Sequence, residues 1–228
     1  MFTLLMSCWL GFLIGLRHAL DPDHLAAMSA LVVEQPRRFR AAVQGAFWGA
    51  GHAAALLVTG ALLLAWRIQL PERWAELFEL AASAMLIGLG VRSVRSSLRA
   101  RGAAITHRHG PASHAHAGDP GHFHVRSWTV ARRPFLVGIA HGLAGTGAVT
   151  ALALASMPSA RAAAAYLLVF ALGSTGGMAL LTGLLGVPIG RIARRPAAHA
   201  VLMAGIGAVS LLVGIVWGAP IVGRLLSS

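Results

Sequence analysis

The chain of 228 residues is 57% hydrophobic and 11% charged, whereas a soluble domain carries about 25% charged residues, so the composition excludes an ordinary water-soluble domain. The formal net charge is +12, and all 19 basic residues are arginines. These arginines lie in short segments between long apolar runs, which indicates membrane orientation and argues against a nucleic-acid partner. The single cysteine, Cys8, excludes an internal disulfide.

Six apolar runs recur along the chain, whose mean hydropathy is +0.71. Each run is long enough to cross a hydrocarbon core about 30 Å thick at a rise of about 1.5 Å per residue. The pattern predicts an all-α polytopic membrane protein with six transmembrane helices in contact with membrane lipid. The runs cover 2–33 (interrupted at Pro22), 41–66, 77–98, 134–156, 162–187 and 198–223.

The first run contains "RHALDPDH" (Arg17–His24), which brings five ionisable side chains into a hydrocarbon environment. Pro22 has no N–H and clashes with the carbonyl four residues back, that of His18, so the first helix is predicted to kink or break there. In a regular helix Asp23 would point away from the other polar side chains, and a break could turn it toward them. Irregular backbone at membrane depth is tolerated only where it is buried in protein or lines a cavity. The segment is therefore predicted to line a polar site.

Two histidines and two aspartates at this spacing predict a site for a divalent first-row transition metal. Imidazole suits nickel, cobalt, zinc and copper, whereas magnesium and calcium prefer oxygen alone. Arg17 would be a poor ligand, and we expect it to pair with Asp21 or Asp23 and so offset a buried charge. The alternative is a structural Arg–Asp–His network that pins the helix without any ligand. The predicted metal ligands of this segment are His18, Asp21, Asp23 and His24.

The segment 99–131 separates two halves with three apolar runs each, 1–98 and 132–228. It is rich in glycine, proline, alanine and serine, which predicts a disordered, histidine-rich loop. Clustered neutral imidazoles bind nickel, zinc or copper exchangeably, so we interpret the loop as a segment for weak metal capture or sensing. The alternative is an inert linker. The His-x-His pairs of the loop are His107/His109, His114/His116 and His122/His124.

The two halves of the chain are related by an offset of 123 residues. At this offset "FLIGLRHAL" lies over "FLVGIAHGL", which places His18 on His141, and Phe47 falls on Phe170. Because three spans are an odd number, equivalent helices of the two halves must cross the membrane in opposite directions. This predicts two inverted three-helix repeats, the plan of many secondary transporters, whose sites lie near the membrane midplane.

Two further histidines lie among glycines in later spans, where small residues permit close helix approach. His52 follows Gly49 and Gly51, and His141 precedes a glycine-rich stretch. A lone histidine in a helix is more often a satisfied core residue, but the repeat would place His141 opposite His18. We therefore predict that His52 and His141 line the same metal site.

The arginines also orient the spans. The segments that follow spans one, three and five hold fourteen arginines, against four on the opposite side. Arginine-rich loops face the cytoplasm. We therefore predict a multi-pass protein of the bacterial cytoplasmic membrane, with both termini outside and the histidine-rich loop in the cytoplasm.

At "RHALDPDH" the chain resembles the nickel/cobalt transporter family, whose HX4DH signature usually reads RHA-x-D-x-DH, although Pro22 stands where that family commonly has alanine. The stretch "GIAHGLAGTGAV" (138–149) resembles the UreH-like membrane proteins of urease and nickel metabolism, and "WGAGHAAAL" (48–56) occupies the place of the family's second-span G-H motif. The best-known transporters of that family have eight spans, so the resemblance points to a shorter six-span branch. It implies that His18, Asp23 and His24 are required for metal transport, with Asp21 contributing.

Together these observations predict a secondary transporter of Ni²⁺ or Co²⁺, with the metal as transported substrate and no cofactor. The sequence has no G-x-x-x-x-G-K-[ST] phosphate loop, so this chain is not expected to hydrolyse ATP. A second hypothesis is a membrane accessory protein that hands nickel to a cytoplasmic metallochaperone or to urease or hydrogenase maturation proteins. A third, an H-x4-D acyltransferase that uses His18 and Asp23, is disfavoured because nothing in the sequence resembles that family's oxyanion or phosphate site. We therefore do not expect an enzyme.

Overall fold

The computed structural model describes residues 2–34, 38–66, 68, 70–102, 106–109, 112–115, 128–157 and 159–227. Within these ranges the chain forms seven helices and one short hairpin. The helices are α1 (Phe2–His18), α2 (Pro22–Glu34), α3 (Arg38–Trp66), α4 (Glu72–Gly102), α5 (Trp128–Ser156), α6 (Ala160–Ile192) and α7 (Pro196–Ser227). The hairpin strands are β1 (Thr106–His109) and β2 (Ala112–Ala115).

Four helices of the described part are long and apolar enough to cross a membrane, so the chain is a helical multi-pass membrane protein. The first predicted span is divided into α1 and α2, of 17 and 13 residues, and each is shorter than the about 20 residues that a spanning helix needs. The count of six spans therefore stays a prediction. The four segments are Phe39–Trp66, Glu72–Ala100, Ala160–Ile192 and Pro196–Ser227.

The predicted break near Pro22 is confirmed. Helix α1 ends at His18, and Pro22 is the first residue of α2, the helical position at which a missing N–H costs least. The carbonyl of His18 is not left free by the break, because the backbone N–H of Asp21 donates to it at 3.1 Å. The carbonyl of Asp21 in turn accepts from Leu25 at 2.9 Å, which starts α2. The two half-helices are thus joined by a tight, hydrogen-bonded turn.

Helices α1 and α6 run in the same direction and touch at glycines. Gly11 packs on the ring of Tyr166, and a Cβ at Gly15 would clash with the backbone carbonyl oxygen of Phe170. On α5, a Cβ at Gly138 would clash in the same way with the carbonyl oxygen of Trp48 on α3. The relation of the two halves at an offset of 123 residues, which places Phe47 on Phe170, stays a prediction.

Helix α3 lies between α5 and α6. It runs parallel to α5, because Gly138 faces Trp48 and Gly142 faces His52 one turn later. It runs antiparallel to α6, where Gly45 faces Thr182 and Gly49 faces Thr175. The pair α1/α6 therefore points one way and the pair α3/α5 the other.

Helices α4 and α7 form a second, antiparallel pair whose buried serines donate across the interface. Ser93 Oγ donates to the carbonyl of Met203 at 2.8 Å, and Ser210 Oγ donates to the carbonyl of Leu86 at 2.9 Å. Both serines are fully buried. These hydrogen bonds satisfy the hydroxyl groups inside an apolar bundle.

The predicted loop 99–131 is shorter in the structure, because α4 continues to Gly102 and α5 begins at Trp128. The prediction of disorder does not hold for β1 and β2, which pair antiparallel with His107 opposite His114. A Gly-Pro connection, a typical turn signal, separates the two strands. The disorder of the rest of the loop stays a prediction. The pair His122/His124 and His116 lie outside the described residues.

Candidate metal centre

Three of the predicted ligands lie midway along the helical stretches that carry them. His52 is the midpoint of α3, and His141 lies one residue from the midpoint of α5. His18 ends α1, in the middle of the stretch that α1 and α2 cover together. A bundle of such helices brings these positions to the same depth, which in a transporter is the membrane midplane.

Four imidazoles from α1, α2, α3 and α5 lie against one another. The centroid of the His24 ring is 4.5 Å from that of His18, 5.2 Å from that of His52 and 4.3 Å from that of His141. The His18 and His52 rings are 5.3 Å apart. Both His24 and His141 are 2% exposed, and His52 is fully buried. The structure therefore brings together the four histidines named from the sequence, with His24 in the middle.

The two aspartates take different positions around the histidines. Asp21 Oδ2 accepts from His18 Nδ1 at 2.7 Å and lies partly at the surface, with 47% of the side chain exposed. Asp23 is buried, and its Oδ2 is hydrogen-bonded to His141 Nε2. Asp23 Oδ1 lies 3.1 Å from His24 Nδ1. The break before α2 thus turns Asp23 toward the other polar groups, as the sequence suggested.

Most of the ring nitrogens have no hydrogen-bond partner. Although Asp23 Oδ1 and His24 Nδ1 are close, their geometry is not that of a hydrogen bond. A buried polar atom without a partner costs about 1–3 kcal/mol, so several together call for an explanation. The unpartnered ring nitrogens are His18 Nε2, His24 Nδ1 and Nε2, His52 Nδ1 and Nε2, and His141 Nδ1.

Two sets of three side chains within the cluster could hold a metal ion. In each set one nitrogen or carboxylate oxygen per residue lies within 4.8 Å of the corresponding atoms of the other two residues. Nitrogen and carboxylate ligands of this kind suit nickel, cobalt, zinc and copper. The first set is His18, His24 and His52, and the second is Asp23, His24 and His141.

Aromatic rings form the apolar walls of the cluster. The Trp48 ring lies 5.3 Å from the His24 ring, and the Phe170 ring lies 5.3 Å from the His18 ring. On α5, a Cβ at Gly145 would lie 4.0 Å from His18 Nε2, so the glycine leaves space beside that nitrogen. Sequence reasoning missed Trp48 and Phe170 as wall residues, although the repeat had already singled out Phe170. Gln44 of α3 and Ser174 of α6 are also buried, and their side-chain oxygens have no partner.

The predicted ion pair of Arg17 with Asp21 or Asp23 is wrong. Arg17 lies exposed in the last turn of α1, where its charge interacts favourably with the helix dipole. Both aspartates are instead hydrogen-bonded to histidines, Asp21 to His18 and Asp23 to His141. The break explains the difference, because it ends α1 before the acids and leaves Asp21 in the connecting turn and Asp23 in the first turn of α2.

Comparisons with known proteins show the family of the chain. The urease accessory protein UreH of Bacillus sp. (strain TB-90) is 30% identical over 213 residues, which cover 93% of this chain and 90% of that protein. The chloroplast proteins FOR GROWTH AND FERTILITY 2 and 1 of Arabidopsis thaliana are 29% and 28% identical over 80% of this chain, which spans about half of their length. No solved structure matches. The NicO family, described as high-affinity nickel-transport protein, matches residues 4–225, and the chain belongs to this family.

Proposed function

We propose that the chain is a secondary transporter of Ni²⁺ or Co²⁺ that binds the metal in its buried histidine–aspartate cluster. One observation carries the proposal: four imidazoles and a carboxylate from four helices converge at mid-helix depth in an apolar bundle. Intramembrane ionisable groups are expensive and mark ion pathways. Membership of a nickel-transport family makes the chain a transporter and not an enzyme, as the sequence predicted, and the metal is its cargo.

The cluster and the membrane potential together supply what transport needs. Neutral imidazole and carboxylate match the ligand preferences of Ni²⁺ and Co²⁺. Uptake of a divalent ion gains about 4.6 kcal/mol at 100 mV, since each elementary charge contributes about 2.3 kcal/mol. The residues proposed to form the metal site are His18, Asp21, Asp23, His24, His52 and His141.

Within that set, Asp21 has the role of orienting His18. A carboxylate that accepts from the second ring nitrogen of a metal-bound histidine fixes its tautomer and raises its basicity. The hydrogen bond of 2.7 Å from His18 Nδ1 to Asp21 leaves His18 Nε2 for the metal, and that nitrogen is unpartnered.

The proposal includes two inverted three-helix repeats. Reciprocal contacts support them: Ser93 and Ser210 are 117 residues apart, and so are their acceptors, Leu86 and Met203. A pair of helices that exchanges its contacts in this way has local two-fold pseudosymmetry. The clashes that a Cβ would cause at Gly51 with Phe135 and at Gly173 with Phe12 are reciprocal as well.

The arginines support the orientation with the histidine-rich loop in the cytoplasm. Since α1/α6 and α3/α5 run in opposite directions, the end of α6 and the starts of α3 and α5 lie at the same end of the bundle. That end carries Arg40, Arg132, Arg133 and Arg191. By the bias of arginine toward cytoplasmic segments, this end faces the cytoplasm of a bacterial cell. The loop between α4 and α5 would then meet the metal, and any metallochaperone, on that side.

The second candidate function is a membrane accessory protein that hands nickel to urease or hydrogenase maturation proteins. The name of the UreH relative, a urease accessory protein, supports an accessory role toward urease. The geometry of the cluster argues against the acyltransferase hypothesis. It requires His18 and Asp23 as base and orienting acid, whereas His18 is hydrogen-bonded to Asp21, and Asp23 to His141.

The test is metal flux into proteoliposomes that contain the purified protein, with Ni²⁺, Co²⁺, Zn²⁺ and Cu²⁺ in separate arms. We expect flux of Ni²⁺ or Co²⁺ above that of empty liposomes and its loss in His18→Ala. The control is His199→Gln, because His199 lies outside the cluster and donates to the carbonyl of Val33 at 2.8 Å, a bond that glutamine can also make. If no divalent metal enters the liposomes, the transport proposal is wrong and the accessory function becomes the better account.

A further inference from the structure

We infer that the cluster holds one metal ion in two alternative positions that share His24, and that the ion exchanges ligands between them. The imidazole set consists of His18, His24 and His52, and the mixed set consists of Asp23, His24 and His141. That the exchange is a step of transport rests on the proposed function. The existence of two positions does not.

Each set is close to binding geometry without the other. Ligand atoms at about 2.1 Å from one metal lie at most about 4.2 Å apart. The ligand atoms of each set lie within 4.8 Å of one another, so small side-chain rotations close either set. By contrast, the ligand atoms of all five residues in the two sets do not lie within that distance of one another.

His24 belongs to both sets because it lies between them. Its ring is 4.5 Å from that of His18 on one side and 4.3 Å from that of His141 on the other. A neutral imidazole has one acceptor nitrogen, the other nitrogen being protonated. His24 therefore serves one ion at a time, and the two positions are alternatives within a single occupancy.

The two sets differ in how ready they are for an ion. In the imidazole set Asp21 already orients His18, and the remaining ring nitrogens have no partner. In the mixed set Asp23 and His141 are hydrogen-bonded to each other, so an ion must compete with that bond. The ion therefore binds first to the imidazole set and then moves to the mixed set.

The exchange has a direction along the chain. His18 is the last residue of α1, whereas Asp23 lies in the first turn of α2. Helix α2 continues to the end of the bundle where His199 of α7 donates to Val33. An ion that leaves the imidazole set for the mixed set while bound to His24 therefore passes from the α1 half of the broken helix to the α2 half.

The test is titration of the purified protein with Co²⁺, whose visible absorption reports the number and type of its ligands. His52→Ala disrupts the imidazole set alone, His141→Ala disrupts the mixed set alone, and His199→Gln is the control. We expect one Co²⁺ per wild-type chain, one Co²⁺ with a different spectrum in each disrupted variant, and a loss of Co²⁺ affinity in His24→Ala beyond the about 100-fold that an outer-shell change costs.

Three results would overturn the two positions: two Co²⁺ ions per wild-type chain, the same altered spectrum in both disrupted variants, or wild-type affinity in His24→Ala. Should His141→Ala fail to fold, Asp23→Asn removes the carboxylate of the mixed set and keeps the shape of the side chain. Its spectrum is then expected to match that of three imidazoles, and a spectrum like that of His52→Ala contradicts the inference.

Flux separates this inference from the proposed function. Two distinct spectra without wild-type Ni²⁺ flux would leave the two positions standing and remove transport. Wild-type flux that persists in both His52→Ala and His141→Ala would leave transport standing and remove the exchange as one of its steps.

Discussion

The histidine cluster and the α4/α7 interface bury polar side chains to the same extent but treat them differently. Ser210 and His52 are both fully buried. Ser210 donates to a backbone carbonyl of the facing helix, whereas neither ring nitrogen of His52 has a partner. The bundle can therefore satisfy a buried polar group where packing is its only role. Unpartnered nitrogens grouped at mid-helix depth are the feature on which the proposed ligand site rests.

The difference also has an energetic consequence. An interhelical hydrogen bond inside a membrane contributes about 0.6 kcal/mol on average, whereas a buried polar atom without a partner costs about 1–3 kcal/mol. The unpartnered nitrogens of the histidine cluster thus cost the bundle stability, and under the proposed function a bound ion would offset that cost. The α4/α7 pair has no such dependence on metal.

His24→Ala should give the largest effect, because this residue belongs to both sets. Ligands that bind the folded protein raise its Tm, so Ni²⁺ is expected to stabilise the wild-type protein and to leave the Tm of His24→Ala unchanged. Thermal unfolding with and without Ni²⁺ measures this. A rise in Tm equal to that of the wild-type protein would show that His24 does not bind the ion.

Gly138→Leu should disrupt the scaffold of the cluster. A side chain there meets the backbone of α3 at Trp48, and overpacking of this kind costs about 1–3 kcal/mol or more. The free energy of unfolding in mild detergent, followed by tryptophan fluorescence, measures the loss. Gly88→Leu is the matched control, because nothing lies within 4 Å of a Cβ at Gly88. Equal losses in the two variants would contradict the close packing of α3 and α5.

Asp21→Asn should weaken metal binding without unfolding the protein. The side chain is half exposed and acts through His18, and loss of such an orienting partner lowers metal affinity about 10–100-fold. Ni²⁺ titration by calorimetry measures the affinity. Unchanged affinity would show that Asp21 does not orient His18, whereas a complete loss would make it a direct ligand.

Ser210→Ala should give the smallest effect. Removal of its hydrogen bond to Leu86 is expected to lower the free energy of unfolding by about 0.6 kcal/mol. Ni²⁺ flux per reconstituted molecule should equal that of the wild-type protein. A reduced flux would mean that the α4/α7 interface takes part in transport and is not a passive scaffold.

The sequence predicted the polar centre well, because its signals are local or repeated. Pro22 marked the break through its missing N–H, and the repeat together with the glycines beside His52 predicted that four histidines meet. Each of these signals depends on covalent structure or on helix spacing. None of these signals depends on how two helices are rotated about their axes.

The pairing of acids and bases does depend on how the helices are rotated, so it could not be predicted. Helical spacing up to His18 gives the face of α1, but the turn from Ala19 to Asp21 sets the direction of α2, and no periodicity describes a turn. Arg17 was accordingly assigned a partner that the structure gives to histidine.

The most direct test of the metal site is Ni²⁺ flux per reconstituted molecule, compared between His24→Ala and His199→Gln. Both variants remove one buried or half-buried histidine, but only His24 lies in the cluster. We expect His199→Gln to transport at the wild-type rate and His24→Ala to be indistinguishable from empty liposomes. Equal flux through the two variants would contradict the assignment of the histidine–aspartate cluster as the transport site.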